Sequence, residues 1–320
     1  MAIIDKKGFI RGCCGSVIYK KWREVNVITG RSGKKKQTPA TRAAAHEFGL
    51  ASATARMIRM SMTGTFHYAD RAMPNRLTCR VLQAIQGHQT LRRLDRGLYQ
   101  GELQRLQGFE FNSHSPLSTA LPVHPELRRT PSGGILLHVP AFRKHQIKCP
   151  RAHCRYVLRC AVYSFNLRDC YSELLDYRDF AQSDTGGGHE ELNWESGVEL
   201  PAGTVIVVGL TLYARQKRHV GQEEQELNAE DWSPSCILSA FSTPEVAEPE
   251  PRMNIRERQQ HREAAGSKVL VYQNSGLADV LNKDLSKLRA ALASNPLAEE
   301  ARQRAKPPGW PDPVIGKMKV

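Results

Sequence analysis

The sequence predicts an α+β fold: an N-terminal strand pair with two amphipathic helices, a mostly antiparallel β-sandwich-like domain, and a partly helical C-terminal tail. Three observations carry this expectation. Residues 8–30 alternate glycine with β-branched and aromatic residues, and apolar residues recur at helical spacing between positions 38 and 86. From Gly108 onward the period falls towards two, with Gly/Pro turns between short apolar runs. The expected boundaries are a basic module over 1–99, a β-rich domain over 100–243, and a linker with a charged tail over 244–320.

Within the first module, Gly12 and Gly15 flank Cys13–Cys14, which reads as a turn, and Ser16–Tyr19 and Val25–Thr29 read as the two strands. Lys20, Lys21 and Arg23 fit the turn between those strands, and the polar run RSGKKKQ (31–37) reads as loop. Thr38 is the expected N-cap of the first helix and Pro39 its first residue. Ala44, Phe48, Ala51, Ala55, Ile58 and Met62 then form an apolar stripe at spacings of three and four, and Gly49 inside it costs about 1 kcal/mol relative to alanine. A second helix is expected over Asn75–Gln86, started by Pro74, with Leu77, Val81 and Ile85 on one face.

Strands are expected at Phe109–Phe111, Ile135–Val139, Tyr156–Phe165, Val205–Tyr213 and Cys236–Phe241, while the acidic stretch Asp169–Glu199 suggests a long loop. The prolines of PEVAEPEP (244–251) mark a semi-rigid linker. Beyond it, Lys268–Tyr272 is a candidate extra strand, and Gly276–Ser294 reads as one helix with Leu277, Leu281, Leu285, Leu288 and Leu292 on one side.

Charge is segregated as well. Residues 1–110 hold 20 Lys and Arg against 7 Asp and Glu, a net +13, whereas residues 111–250 are net −5 and residues 251–320 net +6. Charge serving solubility alone would be spread along the chain, so the opening segment is expected to meet an anionic or acidic partner. The candidate contact residues are Lys20, Lys21, Trp22, Arg23, Arg31, Lys34, Lys35, Lys36 and Arg42. The expected activity is non-catalytic binding or assembly, with an unidentified protein partner or self-assembly. The alternative is sequence-nonspecific nucleic-acid binding, with phosphates on the basic groups and bases stacking on Tyr19 or Trp22. Docking of the basic face on the chain's own acidic middle is the competing structural reading.

Other chemistry has weaker signals. CPRAHCRYVLRC (149–160) offers Cys149, His153, Cys154 and Cys160, with Cys170 beyond, as thiolate and imidazole donors for zinc. Cys154 and Cys160, however, lie about 20 Å apart along one extended strand, so buried free thiols are the expectation. Basic neighbours would favour a thiolate at Cys13–Cys14, yet no protease or redox signature surrounds the pair. Gly186–Gly188 with His189, Glu190 and Glu191 reads as a solvated turn, and carboxylates of the 169–200 stretch are the weakest candidate, for an enzyme. There is no P-loop, nucleophile elbow or H-E-x-x-H motif. The expectation is therefore no catalytic, metal or cofactor site. The longest apolar stretch, TVIVVGLTLYA (204–214), is far short of the roughly 20 residues of a membrane span. No export signal is read at the start, so the expected location is cytoplasmic, with reduced cysteines.

GCCGSVIYKK (12–21) with RAAAHEFG (42–49) is similar to the opening of an uncharacterised family of Bacteroidota. LQRLQGFEFN (103–112), PAF (140–142), ELP (199–201) and VVGLTL (207–212) resemble the same family, over residues 8–241. The resemblance implies a basic N-terminal module joined to a β-rich domain, with no known activity. Residues after Phe241 and the cysteines at 13, 14, 149, 154 and 160 depart from its pattern.

Overall fold

In the computed structural model the described residues are 2–22, 25–31, 33, 36–88, 90–130, 133–143, 146–147, 154–181, 188–216, 225–245, 257, 260 and 271–294. The chain divides into two units, Met1–Arg42 and Ala43–Val320. The first is an antiparallel meander of four strands rather than two: β1 (Ala2–Ile4), β2 (Ile10–Cys14), β3 (Val17–Trp22) and β4 (Val25–Gly30). Cys13 and Cys14 belong to β2, and the turn falls on Gly15, whose φ of +60° suits glycine. Lys20 and Lys21 belong to β3, opposite Val27 and Asn26 of β4, so the turn expected over 20–23 does not begin until after Trp22. The pairing with β4 accounts for this, because it runs the full length from Val17 to Trp22. Arg23 lies outside the described residues.

Helix α1 (Pro39–Ser61) starts where expected, with the Thr38 hydroxyl accepting from the Thr41 amide at 3.2 Å. It is followed by α2 (Met73–Gly87) and a chain running through β5 (Phe109–Glu110) and the short helix α3 (Leu117–Ala120). Strands β6 (Glu126–Arg129), β7 (Ile135–Val139), β8 (Phe142–Arg143), β9 (Arg155–Asn166) and β10 (Tyr171–Ala181) come next. Then follow β11 (Gly188–His189), β12 (Leu192–Ser196), β13 (Val205–Gln216), β14 (Gln225–Glu226), β15 (Ser235–Ser242) and β16 (Val271–Gln273). Helices α4 (Ser275–Leu281) and α5 (Ser286–Ala293) close the described chain.

A seven-stranded antiparallel sheet in the order β16-β10-β9-β13-β15-β5, with β14 on the end of β13, forms the middle layer of the second unit. The first ten residues of β13 are all buried, as a strand covered on both faces requires. One face packs on α1 and α2: Leu50, Ala51, Met57, Ile58, Leu77, Val81 and Ile85 share a core with Ala161, Tyr163, Phe165, Val205 and Val207. The helices expected to belong with the N-terminal strands thus cover the central sheet. Gly209 permits close approach at the end of α1, since a Cβ there would lie 2.7 Å from Thr65 Cγ2 and 2.8 Å from Met62 Cε.

The other face packs on a three-stranded sheet, β12-β7-β6, through Ile135, Leu137, Val139 and Trp194 against Tyr156, Leu158, Val162, Ile206 and Val208. The sandwich expected from the sequence is therefore present, with helices as a third layer. Strands β10 and β12 occupy the stretch expected to be a loop. Their charged positions hide the strand signal, because β10 is buried over Tyr171–Glu173 and largely exposed from Tyr177 onward.

The buried face of α1 also departs from the expected stripe. Ala51, Ala55, Ile58 and Met62 point inward, but Ala44 is exposed and Phe48 is 54 % exposed, while Ala43, Glu47, Leu50 and Thr54 are buried. Buried Glu47 accepts from Gln86 Nε2 at 2.9 Å and pairs with Arg93 at 3.5 Å, which compensates a carboxylate that its sequence position assigns to solvent. The helix expected over Gly276–Ser294 is broken at Asn282–Leu285, where Asp284 accepts from the Ser286 amide at 2.9 Å. Leu277 joins the core beneath α1, Leu288 packs with Ala43 and Leu94, and Leu281 is exposed.

Candidate anion-binding face

Residues 1–42 hold 11 Lys and Arg against 2 Asp and Glu. Two of the basic residues, Lys20 and Lys21, sit on β3, and strand parity separates them. Lys20 and Trp22 share one face of the meander, and Lys21 and Tyr19 project from the other. Gly12 pairs with Tyr19 and Arg11 with Ile3, so Arg11 and Ile3 belong to the Lys20 face, as do Val25 and Val27. Trp22 lies opposite Val25 and the two are 63 % and 61 % exposed, while Lys20 and Arg11 are also exposed.

On the opposite face, Lys21 is half-buried with its ammonium 3.7 Å from the centre of the Phe9 ring, a cation–π contact that ties down its charge. Among the described residues of β1–β4 no side chain is fully buried, and Ile3, Ile4, Trp22, Val25 and Ile28 are exposed. A sheet needs an apolar face covered to be stable by itself, so this one has apolar surface left to contribute to a contact.

Asp5 is one of the two acids of this unit. Its carboxylate accepts from the Phe9 and Lys7 amides at 2.9 Å each and lies 3.8 Å from Arg11. The Phe9 hydrogen bond leads in holding its carboxyl below the usual range, which keeps it anionic but satisfied within its own turn.

Of the other expected contact residues, Arg31 is exposed at the end of β4, its amide donating to Ser16 O at 2.6 Å, and Lys36 is exposed in the connection to α1. Arg42 is exposed on the first turns of α1, and Lys34, Lys35 and Arg23 lie outside the described residues. The structure thus brings Lys20 and Trp22 together and sets Lys21 apart. Arg11 is the residue that sequence reasoning missed. Its signal was available only through β2, and an assignment of Cys13–Cys14 to a turn concealed that strand.

The remaining candidates do not converge. Cys160 lies in the core beneath the three-stranded sheet and Cys170 in the core beneath the helices, so the central sheet separates them. Cys149 and His153 lie outside the described residues, and among the described residues no group of three or more His, Cys, Asp or Glu could hold a metal ion. Burial pushes the Cys160 thiol up to about 12 and raises Cys236 well above its ordinary range, which leaves both protonated and inert.

Among the acids of 169–199, Asp176 accepts from Ser196 Oγ at 2.9 Å and pairs in register with Val162, whose side chain lies in the core beneath the three-stranded sheet. Asp179 pairs with Arg159 on the opposite face through hydrogen bonds of 2.6 and 2.7 Å. That guanidinium stacks between Tyr177 and Tyr213, 5.4 and 5.0 Å from the ring centres. Burial lifts the Tyr213 hydroxyl to about 12, so it stays neutral. Glu191 stands 3.6 Å from His138, at a strand edge. Asp176, Asp179 and Glu191 are thus each engaged by a different partner, and Asp184 lies outside the described residues.

Compared with protein-family models, curated proteins and solved structures, the chain matches none of them. No described helix is long and apolar enough to cross a membrane.

Proposed function

We propose that this protein is a non-catalytic binding or assembly protein whose N-terminal sheet contacts an acidic or anionic partner. The observation that carries the reading is the combination of 11 basic residues in 42 with a sheet whose exposed apolar side chains have no core of their own among the described residues. The β-rich second unit serves as the rigid body. The engagement of Asp176 by Ser196 and of Asp179 by Arg159 supports a binding role over catalysis. The described cysteines form no disulfide with one another, which fits the reducing cytoplasm. The likeness to the Bacteroidota family agrees with a basic N-terminal segment ahead of a β-rich domain and adds no activity.

Retention on an immobilised polyanion, read beside size-exclusion chromatography with light scattering at low and high salt, tests this. The full chain should be retained and should elute earlier in salt once Lys34, Lys35 and Lys36 are replaced by glutamate. A strictly monomeric chain that neither polyanion nor acidic polypeptide retains would overturn it.

A further inference from the structure

The charge of the N-terminal sheet leaves open which anion it meets, and the two faces differ in a way that decides. On the Arg11–Lys20–Trp22 face the cations and the exposed indole are placed together by strand geometry. Lys20 and Trp22 are two residues apart on β3, roughly 7 Å along the strand. Arg11 projects from the neighbouring strand on the same side, roughly 5 Å across the sheet. Among the described residues of this unit the one acid is Asp5, which sits in the β1–β2 turn, held by the Phe9 and Lys7 amides and 3.8 Å from Arg11. A polyanion approaching it meets positive charge beside an aromatic ring, with Val25 and Val27 flooring the surface around the ring.

We infer that this face binds single-stranded nucleic acid, with a base stacked on Trp22 and the neighbouring phosphates against Lys20 and Arg11. The inference rests on the anionic-partner reading and narrows it. Two features favour a single strand over an acidic polypeptide or a duplex, and a third disfavours a second copy of the chain. An indole 63 % exposed on a sheet offers a flat π surface that an unpaired base can cover, whereas duplex bases are already stacked on one another. The separation of ring and cation along β3 matches alternation of base and phosphate along one strand rather than a broad charged groove. The net charge of residues 1–42, 11 basic against 2 acidic, opposes pairing of two copies through these faces.

Fluorescence anisotropy of the full chain tests this, using a labelled oligothymidylate of roughly 12 nucleotides, a duplex of the same length, heparin and polyglutamate as probes. The oligothymidylate should bind most tightly and lose affinity steeply between about 50 and about 200 mM salt. Trp22→Ala should weaken it roughly ten-fold or more, Trp22→Phe should restore most of that loss, and Lys20→Glu with Arg11→Glu should weaken it further while flattening the salt slope. Because Trp22 is exposed, both Trp22 variants keep the native far-ultraviolet spectrum and melting temperature. Oligothymidylate affinity unchanged in Trp22→Ala overturns the inference. So does equal binding of heparin and oligothymidylate, or tighter binding of polyglutamate or duplex. In each of those outcomes the anionic-partner reading stands; binding to none of the four probes removes both.

Discussion

Arg76, near the start of α2, places its guanidinium on the carboxylate of Asp70, which is 5 % exposed. The same Arg76 Nη2 donates to the backbone oxygen of Glu110 at 3.0 Å, and its guanidinium stacks 5.1 Å from the centre of the Phe109 ring. Asp70 also accepts from the Ser113 and Ala72 amides at 2.9 Å each. One ion pair therefore fastens the first turn of a helix to an edge strand of the central sheet.

This junction gives two acids with opposite pH behaviour. Burial works against the Asp70 carboxylate, but the Ser113 amide and Arg76 outweigh it and hold its pKa below 3.8. Its contribution is present above pH 3.8 and is lost as pH falls through the lowered value. Burial raises Glu110 above 4.5, so its contribution is full below that value and is lost as pH rises through the raised one. Urea unfolding should show Asp70→Asn costing about 2 kcal/mol at neutral pH, with the deficit shrinking as pH falls below 3.8. Glu110→Gln should instead compare best with the parent at neutral pH and worst in acid.

Gly209 is the tightest point between sheet and helix. Its absent side chain makes room for Thr65 and Met62, and Thr65 in turn hydrogen-bonds Tyr163 Oη at 2.7 Å and accepts from the Thr211 hydroxyl through its carbonyl. Gly209→Ala should destabilise the second unit by about 1–3 kcal/mol in chemical denaturation. Gly15→Ala, at a turn of the first unit, should leave that transition unchanged.

Thiol labelling should resolve the cysteines by layer. Cys14 and Cys79 are exposed and Cys13 is half-buried, while Cys154, Cys160, Cys170 and Cys236 are buried. A native sample should label quickly at Cys14 and Cys79. Cys160 and Cys236 should label only at the rate of unfolding, being both buried and raised in pKa. Mass spectrometry of timed aliquots reads this directly.

The C-terminal segment is a working part of the core. β16 pairs with Tyr171–Glu173 of β10, Asn274 donates to Ala53 O at 2.8 Å, and Leu277 is 1 % exposed beneath α1. Leu277→Ala should cost about 2–4 kcal/mol of unfolding free energy, because the site is packed on all sides. Leu281→Ala, on the exposed turn four residues later, should cost under about 0.5 kcal/mol.

Local pattern carried much of this architecture into view before any coordinates. The apolar, β-branched runs of β7, β9, β13 and β15, the Thr38–Pro39 start of α1 and the Leu77–Val81–Ile85 face of α2 are encoded within a few residues of where they act. Charge segregation is likewise a property of the chain itself. What the tertiary structure decided are the features that depend on distant partners. Glu47 turns inward because Gln86 and Arg93, some 40 residues on, receive it, and Phe48 turns outward in consequence. Strand β10 exists because β9 and β16 pair with its two edges, despite a charged sequence that fits a loop. The separation of Lys20 from Lys21, and the arrival of Arg11 beside Lys20 and Trp22, follow from cross-strand register. Period two tells which residues of one strand share a face, but only pairing tells which strands contribute to it. That is why the sequence showed a basic segment and the structure was needed to show a face.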